Sequence, residues 1–94
     1  MKVLAANVGS TSLKFKLFEM PEETALCEAK IERVGSRDKA KFAYGSLVTG
    51  KHYRLEGQCI PDYTTGIRMF LEALVSGEYG VIKSAGEIDR IGFK

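Results

Sequence analysis

Two short apolar stretches separated by four turn-forming residues constrain this chain more than anything else in it. Val3 to Val8 reads Val-Leu-Ala-Ala-Asn-Val, the pattern of a strand buried on both faces. Leu13 to Phe18 then alternates, with Leu13, Phe15 and Leu17 on one side and Lys14 and Lys16 on the other. A period of two is the mark of a half-buried strand. Between them lies only Gly9-Ser10-Thr11-Ser12. A parallel crossover needs a dozen residues or more, so these two strands form an antiparallel hairpin.

Met20-Pro21-Glu22-Glu23 interrupts the pattern, because proline cannot donate to a ladder. From Thr24 to Val34 the alternation resumes, with Ala25, Cys27, Ala29 and Ile31 inward and Glu28, Lys30 and Glu32 toward water. Three antiparallel strands result. Gly35 to Lys41 reads as a charged loop. Phe42 to Val48 and His52 to Leu55 are further strands around the turn Thr49-Gly50-Lys51. Pro61-Asp62 opens the one clear helix, with Asp62 as N-cap and Ile67, Phe70, Leu71, Leu74 and Val75 at helical spacing. Gly77 is its natural stop. Tyr79 to Glu87 is irregular, and Ile88 to Phe93 reads as a last strand. The fold-class reading is α/β with an α+β-like order, an antiparallel three-strand start followed by a helix.

Ninety-four residues leave room for one domain, since domains average roughly 100–200 residues. Fourteen Lys and Arg against twelve Asp and Glu give a net charge of +2. The basic residues are scattered, so neither a nucleic acid nor a membrane is an expected partner. No apolar run approaches the ~18 residues of a membrane span or a signal-peptide core. Cys27 and Cys59 are the only cysteines and form no C-x-x-C pair, which favours a reduced, cytoplasmic chain. Cys27 alternates with apolar neighbours and reads as core. Cys59 lacks a basic neighbour to activate it. His52, the single histidine, has no ligand partner at metal spacing, and Glu22-Glu23 falls in a turn. Tyr63 and Tyr79 flank the helix without an assigned role.

The segment with chemical content is Asn7-Val8-Gly9-Ser10-Thr11-Ser12-Leu13-Lys14. A tight turn exposes backbone N–H groups at its tip, and Gly9 permits close approach of an anion. Ser10, Thr11 and Ser12 add hydroxyl donors, Lys14 adds a cation, and the Asn7 amide suits a hydrated magnesium ion or phosphate-bound water. This is not the Gly-x-x-x-x-Gly-Lys-Ser/Thr loop, for no helix follows it. Glycine, serine and threonine also dominate ordinary turns, so composition alone favours a plain hairpin.

The same eight residues resemble the first signature of the acetate kinase family, Asn-x-Gly-Ser-Ser/Thr-Ser-x-Lys, at its usual place near the amino terminus. Glu28-Ala29-Lys30-Ile31-Glu32-Arg33-Val34-Gly35 is similar to the family's third strand. Phe70 to Val75 followed by Gly80 to Ser84 resembles its first long helix and the loop beyond. Glu87 to Gly92 leads toward a family strand that usually continues with His-Arg, where this chain has Phe93-Lys94. A lysine keeps the arginine's charge but loses its two-pronged guanidinium fork.

The resemblance implies a ribonuclease-H-like, actin-like ATPase fold, of which residues 1–94 would be the amino-terminal part of the first domain. It implies an ATP-dependent carboxylate kinase that forms an acyl phosphate, with ATP, magnesium and a small carboxylate as ligands. By motif position, Ser10, Ser12 and Lys14 would address the terminal phosphates, Asn7 the magnesium, and Lys94 the carboxylate. No catalytic residue of the family falls within these 94 positions, so the chain alone would be inactive. The chain stops in mid-strand, which reads as a truncation that would leave apolar surface prone to self-association; a homodimer is expected of a longer parent. The alternatives are a non-catalytic phosphate-binding module of the actin type and an inactive subdomain.

Overall fold

The computed structural model describes residues Met1–Phe93. Its elements are β1 (Lys2–Val8), β2 (Leu13–Glu19), β3 (Thr24–Glu32), β4 (Ala40–Ser46), β5 (His52–Gln58), α1 (Tyr63–Leu74), a single 3-10 turn at Ala85–Glu87, and β6 (Ile88–Phe93). They form one six-stranded sheet in the order β5-β4-β3-β2-β1-β6. The first five strands pair antiparallel in chain order, and β6 then lies parallel beside β1. The expected hairpin is present in the register Val8↔Leu13, with Gly9 to Ser12 as its four-residue turn. A parallel β6 follows from the long connection through α1, which hairpin-length turns cannot provide.

Cross-strand partners share a face, so the pairs Leu4↔Leu17, Phe15↔Ala29 and Ile31↔Phe42 place these residues on one side of the sheet. The helix covers that side. Leu13, Leu17, Cys27, Ile31, Phe42, Phe70 and Leu74 are all essentially inaccessible there. Burial pushes the Cys27 thiol up to about 11, which leaves it an inert filler. Cys59 is exposed, and the two thiols are unpaired.

Contact with α1 is set by two residues. Phe70 stacks on Phe15 with ring centroids 4.3 Å apart and planes 6° from parallel. One turn earlier, Gly66 brings the helix backbone down onto the sheet. A Cβ at Gly66 would lie 3.0 Å from Ile31 Cδ1 and 3.1 Å from Leu13 Cδ1. Four helical residues advance about 6 Å, and two strand residues about 6.6 Å. Gly66 over Leu13 and Phe70 over Phe15 therefore match in pitch, and α1 runs in the same direction as β2.

Several expectations change in detail. Strand β1 is fully buried on the helix side only: Leu4 and Ala6 are 3% and 2% exposed, whereas Val3 and Ala5 on the other face are half-buried and Asn7 is exposed. The opposite face carries the exposed Lys14, Lys16, Glu28 and Lys30, and no helix among the described residues covers it. Phe70 and Leu74 of the expected stripe are fully buried, Ile67 and Leu71 pack half-buried beside them, Gly66 and Ala73 complete the buried line, and Val75 is 40% exposed. The helix does not reach Gly77. It ends at Leu74, whose carbonyl accepts from the amides of Val81 and Ile82 at 3.0 and 3.2 Å. The returning loop thus supplies the cap that a glycine often provides. Strand β4 starts at Ala40 inside the expected charged loop and ends at Ser46, leaving Leu47 and Val48 exposed in the turn.

Asp62 caps α1 as the sequence predicts. One carboxylate oxygen accepts from the Thr65 amide at 2.8 Å and from the Thr65 hydroxyl at 2.7 Å. The backbone bond from Thr65, then its hydroxyl, hold the Asp62 carboxyl below the usual aspartate range. A depressed native value means that this stabilisation is present above the unfolded aspartate pKa and is lost as pH falls through the folded one. Replacing Asp62 with asparagine keeps a cap that does not titrate. Thermal melts below about pH 4, the ordinary aspartate value, are expected to fall less steeply with pH for Asp62→Asn than for the native chain. Parallel melting curves would remove Asp62 from the acid limb.

The Gly66 contact makes a second prediction. Gly66→Ala gains roughly 1 kcal/mol of helix propensity but presses two terminal methyls, so the two effects largely cancel. Gly66→Val adds bulk that cannot be absorbed and is expected to cost about 1–3 kcal/mol in chemical denaturation. An unchanged denaturation midpoint for Gly66→Val would mean that the helix does not sit this close.

Candidate phosphate-binding turn

At the β1–β2 turn, all four carbonyl groups are tied down, and three of its four amides are not. The Ser12 carbonyl accepts from the Gly9 amide at 2.9 Å, and the Thr11 carbonyl accepts from the Val34 amide at 2.9 Å. The Tyr63 hydroxyl lies 2.7 Å from the carbonyl oxygens of both Gly9 and Ser10. Among the described residues, the amides of Ser10, Thr11 and Ser12 take no acceptor. Ser10 and Thr11 are exposed and Ser12 is half-buried, so these donors face solvent or a ligand. Outward N–H groups with inward carbonyls form a concavity that selects anions.

Gly9 has a local reason to be glycine. A Cβ there would stand 2.6 Å from the Ser12 Oγ, so the Ser12 hydroxyl folds over the bare Gly9 backbone. Asn7 and Lys14 are direct cross-strand partners at the base of the turn, both exposed on the sheet face away from α1. Lys14 also sits opposite Lys30 on β3. Lys30 pairs with Glu32 at 2.9 Å and Lys16 with Glu28 at 3.8 Å, whereas Lys14 has no carboxylate within reach among the described residues. The Lys30 hydrogen bond and charge hold Glu32 below its usual range. Lys14 is thus the cation left available beside three free amides and the Ser10 and Ser12 hydroxyls.

The structure brings four sequence-selected residues, Asn7, Ser10, Ser12 and Lys14, to one end of the sheet. Lys94 lies outside the described residues. Its neighbour Phe93 pairs with Ala6, so β6 runs out on the same rim as the turn. His52 and Cys59 are both exposed; His52 opens the far edge strand β5, and Cys59 precedes Ile60, whose carbonyl accepts from the Gly35 amide at 2.8 Å. Among the described residues, no group of three His, Cys, Asp or Glu side chains could hold a metal ion. Magnesium commonly keeps several waters and rides on substrate phosphates, so the neutral amide of Asn7 fits a hydrated ion rather than a protein cage. Sequence placed Tyr63 at the helix start and Val34 at the end of the third strand without giving either a role at the turn. The sole hint was an aromatic with a polar tip directly after a helix cap.

Comparison with known proteins bears on the family and the fold. The model for the Acetokinase family matches residues 2–94. Acetate kinase from Geobacillus kaustophilus is 44% identical over 93 residues, covering 99% of this chain and 22% of its own length. The crystal structure of Porphyromonas gingivalis acetate kinase superposes with a TM-score of 0.87 at 35% identity, over 98% of this chain and 22% of that one. A propionate kinase from Francisella tularensis shares the fold, with a TM-score of 0.75 at 20% identity over 98% of this chain and 21% of that one. The chain thus spans between a fifth and a quarter of the length of the relatives it matches. The sheet and helix are the α/β, actin-like architecture of these kinases. On the motif, the fold and the match across residues 2–94, the chain belongs to the acetokinase family.

Proposed function

We propose that this chain is the amino-terminal part of the first ribonuclease-H-like domain of an ATP-dependent carboxylate kinase, and that its β1–β2 turn receives the terminal phosphates of ATP. The observation that carries this reading is the asymmetry of the turn: among the described residues it has four bonded carbonyls, three free amides and an unpaired Lys14. In the proposed reaction a carboxylate oxygen forms a bond to the terminal phosphorus while the bond to the bridging oxygen breaks, giving an acyl phosphate and ADP. Such in-line transfer depends on positioning and charge neutralisation rather than on protein covalent chemistry. The amides of Ser10 to Ser12 and the hydroxyls of Ser10 and Ser12 would hold phosphate oxygens. Lys14 would offset their charge. When bound, magnesium would neutralise further phosphate charge, with Asn7 addressing its water shell.

The groups that act on the carboxylate and on the transferring phosphoryl would come from other parts of the kinase, apart from Lys94, which would meet the carboxylate if it stands where the family usually has arginine. A single lysine charge there would bind the acid less specifically than an arginine fork. Dimerisation of the whole kinase and a cytoplasmic setting complete this reading. Self-association of the present chain is proposed through the outer edge of β6, where Ile91 and Phe93 are 54% and 65% exposed. Among the described residues no helix is long and apolar enough to cross a membrane.

Titrating magnesium and ATP into isotope-labelled protein is expected to move the amide signals of Gly9 to Lys14 before any others. Shifts confined to α1 would defeat the assignment. Lys14→Ala is expected to weaken binding by roughly tenfold or more, the worth of a hydrogen bond to a charged group. Because Lys14 lies exposed opposite Leu13 and Phe15, its loss leaves no cavity, and stability should hold within ~0.5 kcal/mol. A large fall in melting temperature would make Lys14 a structural residue instead.

A further inference from the structure

Tyr63 connects two elements that the phosphate-binding reading treats separately, the helix and the turn. It is the first residue of α1, held by the Asp62 cap beneath it. Gly66 and Phe70 fix the helix in step with Leu13 and Phe15 of β2. Three residues back from Gly66 is about 4.5 Å toward the helix start, which carries Tyr63 past Leu13 and over the turn. Its hydroxyl meets the carbonyl oxygens of Gly9 and Ser10 at 2.7 Å each. These two carbonyls belong to the peptide units whose nitrogens are the amides of Ser10 and Thr11.

The only cis peptide among the described residues is Met20–Pro21, so both of these units are trans. In a planar trans peptide the C=O and N–H point in opposite directions. A hydroxyl that draws the two carbonyls toward α1 therefore turns the two N–H groups away from it. Those are two of the three amides that have no acceptor of their own. We propose that Tyr63 is the positioning residue of this turn: its hydroxyl fixes the Gly9 and Ser10 carbonyls and thereby presents the Ser10 and Thr11 amides to phosphate oxygens. The inference rests on the turn being a phosphate site and adds the residue that orients it. It also makes the helix a sensor of the turn, because any displacement of α1 moves the hydroxyl.

Tyr63→Phe tests this, since it retains the ring and deletes only the hydroxyl. Native and variant chains are compared by amide spectra during titration with magnesium and ATP, at a temperature where both are folded. The expected result is an affinity roughly threefold to tenfold weaker in the variant, with the ligand-induced shifts of Ser10 and Thr11 reduced more than that of Lys14. In the unliganded variant the Ser10 and Thr11 signals should already differ from native, while those of β3 to β5 should not. Replacing Tyr63 with 3,5-difluorotyrosine in a mildly acidic buffer, where its phenol stays protonated and keeps a hydroxyl donor, should restore the native shifts. Equal affinity and equal shifts in native and Tyr63→Phe chains would overturn the role of Tyr63 and leave the phosphate site standing. So would a lowered melting temperature with unchanged affinity, the mark of a purely structural contact. Absence of any Gly9 to Lys14 response in the native chain would overturn the phosphate reading itself, and this inference with it.

Discussion

The docking of α1 on β2 is the contact from which the rest of the arrangement follows. Phe70 stacked on Phe15 anchors the helix, and the missing side chain of Gly66 lets its first half settle against Leu13 and Ile31. An aromatic stack supplies attraction beyond the area it buries, and a close backbone approach fixes distance as well as direction. Because one helical turn and two strand residues advance almost equally, the two contacts reinforce a single register. With that register set, the start of the helix can only overhang the start of β2. The β1–β2 turn is therefore built by tertiary packing as much as by its own sequence.

That packing gives the turn its polarity. A solvated four-residue turn would have carbonyls and amides exposed in similar measure. Here the carbonyls are taken by Tyr63, by the Val34 amide and by the turn itself, and among the described residues the surplus is all donor. The charges nearby follow the same logic. Lys16 and Lys30 are matched by Glu28 and Glu32, exposed pairs that add little stability but use up charge. Lys14, facing Lys30 across the ladder, is left over. Like charges directly opposite are mildly unfavourable in a sheet, so this pairing favours an anion above it.

Much of this was legible in the residues. Alternation at Leu13, Phe15 and Leu17 defined β2 and its buried face, and the brevity of Gly9 to Ser12 forced the hairpin. Asp62 announced the helix. The anion-binding character of the turn was visible in residue type, but its orientation was not. Orientation comes from Tyr63, 53 and 54 positions away from its two acceptors, and a linear pattern does not give the direction in which a helix crosses a sheet. The same limit hid the place of Gly66 in the buried line of α1, since Gly66 contributes to packing by lacking a side chain. Burial of β1 was overestimated for a related reason: an apolar run records what a strand tolerates on both faces, not which face these residues cover.

The placement of β6 has a kinetic meaning. Four of the five strand pairs join consecutive strands, whereas the β1–β6 pair is clasped by the Lys2 amide and the Asp89 carboxylate, 87 positions apart. Closing so long a loop costs chain entropy before any ladder bond is gained, and contact order is the quantity that slows folding. The antiparallel meander can assemble from local contacts alone, but β6 has no partner until β1 is in place. The sheet therefore has a temporal order as well as a spatial one, with β6 the last strand to join and, in amide exchange, the first to open.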